Sequence, residues 1–248
     1  MRTVALFSLS GAPGVTTLGL ALAAMWPREV PTVLVEADAS GGDVAAWRRM
    51  PIAPGLVELA AAARPEGLHS QPPDLFRHTQ VLAGGQRVCV APVTAGRANG
   101  VVSMVAQHPG VLAPAVDSLV VLDLGRLMPR SAAAYLAAAA DVALLVTTDE
   151  QAQLKRANEV AQVLGAKMAR LGLVVIGDRE SGGEIARAMT RPVWARIGYD
   201  RRGAEFMRGH QRLRRPHRRP LLAGAQRLAD ALLAQDTQQP VRNMGGEA

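Results

Sequence analysis

Apolar runs of strand length recur along the chain: Val4 to Phe7, Thr32 to Asp38 (ending in acids), Gln86 to Pro92, Ser118 to Gly125, Val142 to Thr147, Leu171 to Ile176 and Val193 to Ile197. They are continuous, not alternating, which is the pattern of strands covered on both faces of a parallel sheet. Stretches with helical spacing lie between them. Leu18 to Met25 is ended by Pro27, and Val44 to Met50, Leu56 to Ala63, Gly100 to Gln107, Ser131 to Ala140 and Glu150 to Leu164 follow. Ser181 to Met189 carries Ser181 as N-cap with Glu184 at the capping-box position, and Pro220 opens a last helix from Leu221 to Ala234. With no repeat and no second core, this alternation predicts one doubly wound α/β domain over residues 1–234. Residues 64–73 read as a surface loop, and the polar, Gly-rich residues 235–248 as a disordered tail.

The first apolar run leads into Ser8-Leu9-Ser10-Gly11-Ala12-Pro13-Gly14-Val15-Thr16-Thr17. A strand, a Gly-rich turn and a helix with Thr-Thr in its first turn form the layout of a phosphate-binding loop. Such a loop aims successive backbone N–H groups at anionic oxygens, helped by the helix dipole. Gly11 and Gly14 permit the turn and Pro13 stiffens it, so Gly11, Ala12, Pro13, Gly14, Val15, Thr16 and Thr17 are the candidate cradle. Ligands of doubly wound sheets bind at the carboxyl ends of strands, where Asp38, Asp123 and Asp178 also fall. The Thr16 hydroxyl and the Asp123 carboxylate are placed to hold Mg²⁺ and its water shell. Asp38 is placed to orient or deprotonate an attacking water. Taken singly, each acid reads equally well as a solvated cap at a strand end. The lysine expected just after the last glycine is Val15.

Charge adds a second feature. The net charge is +7, and residues 201–219 account for the excess, with eight arginines (Arg201, Arg202, Arg208, Arg212, Arg214, Arg215, Arg218 and Arg219) against Glu205. Such a cluster could neutralise DNA phosphates without reading bases, bind an acidic protein or an anionic membrane, or be a solvated loop. The single cysteine, Cys89, lies in a strand-like run and excludes a disulfide framework. No apolar run is long enough for a transmembrane helix and the start leaves no room for a signal peptide, so a cytoplasmic protein is expected. The apolar stripe of the last helix (Leu221, Leu222, Ala225, Leu228, Ala229, Leu232, Leu233) is expected to pack on the domain, not on a membrane.

These motifs resemble the ParA/MinD group of deviant P-loop ATPases over nearly the whole chain. The family loop Gly-Lys-Gly-Gly-Val-Gly-Lys-Thr-Thr aligns with Leu9 to Thr17, its Asp-x-Asp with Glu36-Ala37-Asp38, and its next carboxylate motif with Asp123-Leu124-Gly125. Its purine-contacting Asn-Arg falls on Asp178-Arg179. The resemblance implies a P-loop NTPase fold, ATP and Mg²⁺ as ligands, a nucleotide-dependent homodimer and nonspecific DNA binding. It assigns Thr16 as Mg²⁺ ligand, Asp123 as the acid behind the metal's waters, and Asp38 as the water-activating acid. Asp178 would accept a hydrogen bond from adenine.

Both family lysines are missing: the one that reaches the partner's nucleotide is Ser10, and the phosphate-loop lysine is Val15. A charge-assisted hydrogen bond contributes roughly 1.5–3 kcal/mol, so each loss weakens triphosphate binding by about tenfold to a hundredfold. Hydrolysis should suffer more, because transition-state charge relies on those cations. The leading expectation is a family member with an impaired site that positions or partitions DNA or a cellular machine. One rival is a slow ATPase using Arg126, Arg130 or Arg179 as substitutes. Another is a nucleotide-independent adaptor for a secretion, conjugation or pilus assembly.

Overall fold

The computed structural model describes residues 2–10, 13–27, 29–63, 74–113, 117–168, 170–178 and 182–237. The strands are β1 (Thr3–Ser8), β2 (Thr32–Glu36), β3 (Gln80–Val81), β4 (Arg87–Cys89), β5 (Leu119–Arg126), β6 (Val142–Thr148), β7 (Leu171–Ile176) and β8 (Val193–Ile197). They form one sheet in the order β3-β4-β2-β5-β1-β6-β7-β8. Every neighbouring pair is parallel except the β3–β4 hairpin at one edge. The apolar runs thus form the buried parallel strands their pattern predicts. From β1 the chain travels to β2 and β4 on one side and to β6, β7 and β8 on the other. That reversal opens a crevice at the carboxyl ends of the central strands.

The α-helices are α1 (Val15–Met25), α2 (Val44–Arg48), α3 (Leu56–Ala62), α4 (Ala95–Gln107), α5 (Ala132–Ala139), α6 (Gln151–Leu164), α7 (Gly182–Ala188), α8 (Arg201–Arg208) and α9 (Pro220–Thr237). One face of the sheet is covered by α1 and α9, whose Leu18, Leu22, Leu228 and Leu232 share a core with Leu34 and Leu144 of the strands. On the other face Leu59 of α3, Val102 of α4, Leu136 of α5 and Ala161 of α6 pack with Phe7 and Leu122. Cys89 is buried within that second core, and burial pushes its thiol well above the ordinary range.

Several boundaries differ from the sequence reading. β3 is two residues long, too short for a periodicity to register. α4 starts at Ala95, ahead of the expected Gly100, with Gly96 and Gly100 inside its exposed side. The basic segment is not one loop: Arg201–Arg208 is helical, capped by the Asp200 carboxylate, which accepts the Gly203 amide at 2.9 Å. α9 continues to Thr237, so residues 235–237, expected in the tail, are helical; Asp236 pairs there with Arg170 at 3.3 Å. Residues 64–73, Ser181 and 238–248 lie outside the described residues. The apolar stripe of α9 is buried, with Leu221, Leu222, Ala225, Leu228, Ala229 and Leu232 all inside the core. Among the described residues, no helix is long and apolar enough to cross a membrane.

Candidate nucleotide site

The loop after β1 delivers Gly14 in the left-handed region, at φ 90°, directly ahead of α1. Its carbonyl accepts the Leu18 amide at 2.8 Å and so starts the helix, and no atom lies within 4 Å of where a β-carbon would project. The cradle is open at that point. Gly11 and Ala12 lie outside the described residues. Val15 is buried and belongs to the core that carries α1, yet it also borders the cavity in front of the loop. Ser10 is tied elsewhere: its hydroxyl donates to Gln153 Oε1 on α6 at 2.7 Å, while Ser8 Oγ donates to the Ser10 carbonyl at 2.9 Å.

Thr16 and Asp123 come together, the hydroxyl hydrogen-bonded to the carboxylate. Asp123 is buried on the central strand, in register with Glu36 on β2 and Leu6 on β1, and its Oδ1 accepts the Gly125 amide at 3.1 Å. Burial pushes its carboxyl up to about 7, and the neighbouring Glu36 and Asp38 charges act the same way. The Thr16 and Gly125 hydrogen bonds pull against that rise.

Asp38 lies just beyond β2, with Oδ1 accepting the Ser40 amide at 2.7 Å. Its carboxylate lies over the backbone of Gly125, which adopts φ 56°; a β-carbon at 125 would overlap it. Glycine is therefore required there twice, for the dihedral and for the room. Glu36, the first acid of the Glu36-Ala37-Asp38 motif, is structural. Its Oε1 accepts the Asp43 and Val44 amides at 2.8 and 2.9 Å, and Oε2 accepts the Ala91 amide at 3.2 Å. Burial raises its pKa, partly offset by those bonds. It anchors the start of α2 and the end of β4 to β2.

A cavity of about 330 Å³ is lined by Gly14, Val15, Thr16, Thr17, Asp38, Asp43 and Trp47, together with Arg126 and Arg208. A second, of about 420 Å³, shares Pro13, Gly14, Thr17 and Arg208 with it and extends past Ile176, Gly198 and Tyr199. Both fall in the size range of small-ligand sites. Asp178 is exposed beside Gly198, and its Oδ2 accepts the Tyr199 amide at 3.2 Å. Arg179 lies outside the described residues. Among the described residues, no three His, Cys, Asp or Glu side chains gather as a metal cage. Thr16 and Asp123 supply hard oxygen donors that fit Mg²⁺, an ion that takes one or two protein ligands and completes its shell with phosphates and waters.

The arginine cluster divides into three. Arg219 turns inward and pairs with the buried Asp200 carboxylate. Arg208 lies over the Trp47 ring, 4.9 Å from its centroid, at the wall of both cavities. Arg201, Arg202, Arg212, Arg214, Arg215 and Arg218 are exposed. Arg208 and Arg219 thus make contacts within the fold that the six exposed arginines do not share. Among the proposed substitute cations, Arg126 lines the cavity, while Arg130 lies in the exposed turn that follows β5, at φ 58°. Sequence reasoning missed Trp47, Asp43 and Tyr199 at the cavity walls. Only the rarity of aromatics in the chain could have drawn attention to the first and last.

No protein-family model matches the chain, and no curated protein matches it in sequence. Its architecture does match solved structures. A ParA family ATPase from Chlorobium tepidum TLS aligns with a TM-score of 0.72 at 17% identity, over 93% of this chain and 97% of that one. MinD from Pyrococcus horikoshii, complexed with Mg-ADP, aligns at 0.71 and 17% identity over 97% and 99% of the two chains. A McdA variant from Cyanothece in complex with ATP aligns at 0.62 and 17% identity, over 98% and 99%. The fold is that of the ParA/MinD P-loop ATPases.

Proposed function

We propose that this chain is a ParA/MinD-like P-loop protein with an impaired nucleotide site, acting in the positioning or partitioning of DNA or a cellular machine. The observation that carries the reading is the Thr16–Asp123 pair beside the open Gly14 turn, with no cation at position 10 or 15. The backbone and acidic halves of a phosphate site are kept, and the lysine half is absent. Residues 11–17 would cradle the phosphates, and Thr16 with Asp123 would hold Mg²⁺, which neutralises phosphate charge when bound. Asp38, held by the Ser40 amide and seated on Gly125, would orient a water or take its proton. Asp178 would reach an adenine amino group while also serving the Tyr199 amide. Without lysines the charge developing in hydrolysis is poorly met, so binding is weak and turnover slow or absent.

The six exposed arginines are the surface offered to DNA phosphates or to an acidic protein face. The buried stripe of α9 is not available to a lipid surface. Titration of the pure protein with a fluorescent ATP analogue and Mg²⁺, beside Val15→Lys, tests the reading. Weak binding that the variant strengthens roughly tenfold to a hundredfold is expected; tight binding with brisk hydrolysis by the unaltered protein would overturn it. A second reading, a slow ATPase using substitute arginines, is favoured by Arg126 and Arg208 at the cavity wall. Loss of slow phosphate release in Arg126→Ala would select it.

A further inference from the structure

Among the described residues, Arg208 is the cation that lines both cavities beside the loop. We propose that Arg208 holds the diphosphate part of a bound nucleotide, supplying from α8 the positive charge that Val15 does not; this rests on the reading of the loop as a nucleotide site. Arg208 and Thr17 both line the two adjoining cavities. The guanidinium therefore borders the same space as the loop residues Gly14 and Thr17, within reach of phosphates that leave the loop.

Its side chain is supported by an aromatic ring, and apart from an ion pair with Glu205 its donors make no hydrogen bond among the described residues. The Trp47 ring supports the guanidinium at 4.9 Å. Arg48 Nη2 donates to the Met207 carbonyl, so α2 fastens the end of α8. At the other end of α8, the Asp200–Arg219 pair fixes its first turn. Glu205 Oε1 lies 3.7 Å from Arg208 Nη1, beyond hydrogen-bond distance, and the buried Nε has no hydrogen-bond partner among the described residues. A guanidinium offers five N–H donors in a planar fork suited to phosphate. Its charge also offsets the repulsion between Asp43 and Asp38 at the cavity wall, where burial and Asp38 together raise the Asp43 pKa. An anion arriving there meets a cation poised between acids.

The assignment makes a specific demand: ADP and ATP should depend on Arg208 alike, because both carry the diphosphate. The test is equilibrium titration of the full chain with fluorescent ADP and ATP in Mg²⁺. It compares the unaltered protein with Arg208→Ala, Arg208→Lys and the double variant Arg208→Ala/Val15→Lys, each checked for folding by circular dichroism. Arg208→Ala should weaken both nucleotides by about tenfold or more. Arg208→Lys should retain part of the affinity, and the double variant should regain it through the loop. If Arg208→Ala unfolds, Arg208→Gln, which keeps the stem over Trp47, takes its place. Unaltered affinity in the Ala or Gln variant would overturn the assignment, and so would a loss confined to ATP. If neither the unaltered protein nor the Val15→Lys variant binds nucleotide, the nucleotide reading itself fails.

Discussion

Arg219 forks onto Asp200 from nineteen residues away, its Nε lying 3.1 and 3.2 Å from the two carboxylate oxygens. The same carboxylate caps α8 through the Gly203 amide and accepts the first amide of α9, that of Leu221, at 3.3 Å. One arginine of the basic cluster is therefore a structural tie between two helices. Arg219→Ala should lower the thermal midpoint while leaving retention on a DNA column nearly unchanged. Replacing Arg212, Arg214 and Arg215 together should do the reverse. If the exposed arginines neutralise phosphates, that triple variant should flatten the dependence of log affinity on log salt by about 3 in slope. A midpoint unmoved by Arg219→Ala would remove the structural role.

Asp200 also sets an expectation for acid stability. Burial alone would raise its pKa, but the Arg219 guanidinium and the Gly203 and Leu221 amides outweigh it and hold the carboxyl below its ordinary value. In the unfolded chain the group takes up a proton near its ordinary pKa of about 3.9. Its stabilising contribution is thus complete above that value and disappears as the pH falls through the depressed one. Melting curves between pH 7 and pH 2.5 should show Asp200→Asn trailing the unaltered protein at neutral pH, with the gap closing below about pH 4. A gap that stays constant with pH would contradict the depressed carboxyl.

Gly125 couples stability to the site. Gly125→Ala adds a left-handed alanine, at a cost of about 1–2 kcal/mol, and drives its methyl group into the Asp38 carboxylate. Chemical denaturation should register the first effect. Under the proposed reading, the displaced Asp38 should disturb slow phosphate release more than nucleotide affinity. An alanine variant with unaltered stability would show that the loop relaxes freely around Asp38.

Leu228 tests where the last helix spends its apolar stripe. It is fully buried in the core that α1 and α9 share with the sheet, so Leu228→Ala should cost about 2–5 kcal/mol in urea titration. Arg227→Ala, on the exposed side, should stay within about 0.5 kcal/mol. Equal, small losses in both would mean that α9 is loosely attached and free to engage another surface.

The strands and the loop were legible because each rests on contiguous residues: Val4 to Phe7 and Leu119 to Leu122 are buried on both faces, and their composition says so. Thr16, Asp38 and Asp123 were legible because strand ends converge at one side of a doubly wound sheet. The helix at Arg201–Arg208 was hidden by its charges, since only Gly203 and Met207 are buried in it. Arg208 and Arg219 read alike in sequence, and their separate destinations depend on Trp47 and Asp200, contacts made across the fold. Glu36 was read as part of an acidic motif. Its three amide partners, from Asp43, Val44 and Ala91, appear only once β4 lies beside β2.

The packing of α9 on α1 has a consequence for how the protein is made. Helix α1 spans Val15–Met25 and α9, which covers it, spans Pro220–Thr237, so this contact joins segments some 200 residues apart, a non-local pairing of the kind that slows folding. While the ribosome is still adding the intervening strands, Leu18 and Leu22 have no Leu228 or Leu232 to meet. A chain cut short before residue 220 would therefore leave the apolar face of α1 that Leu228 and Leu232 cover open to solvent.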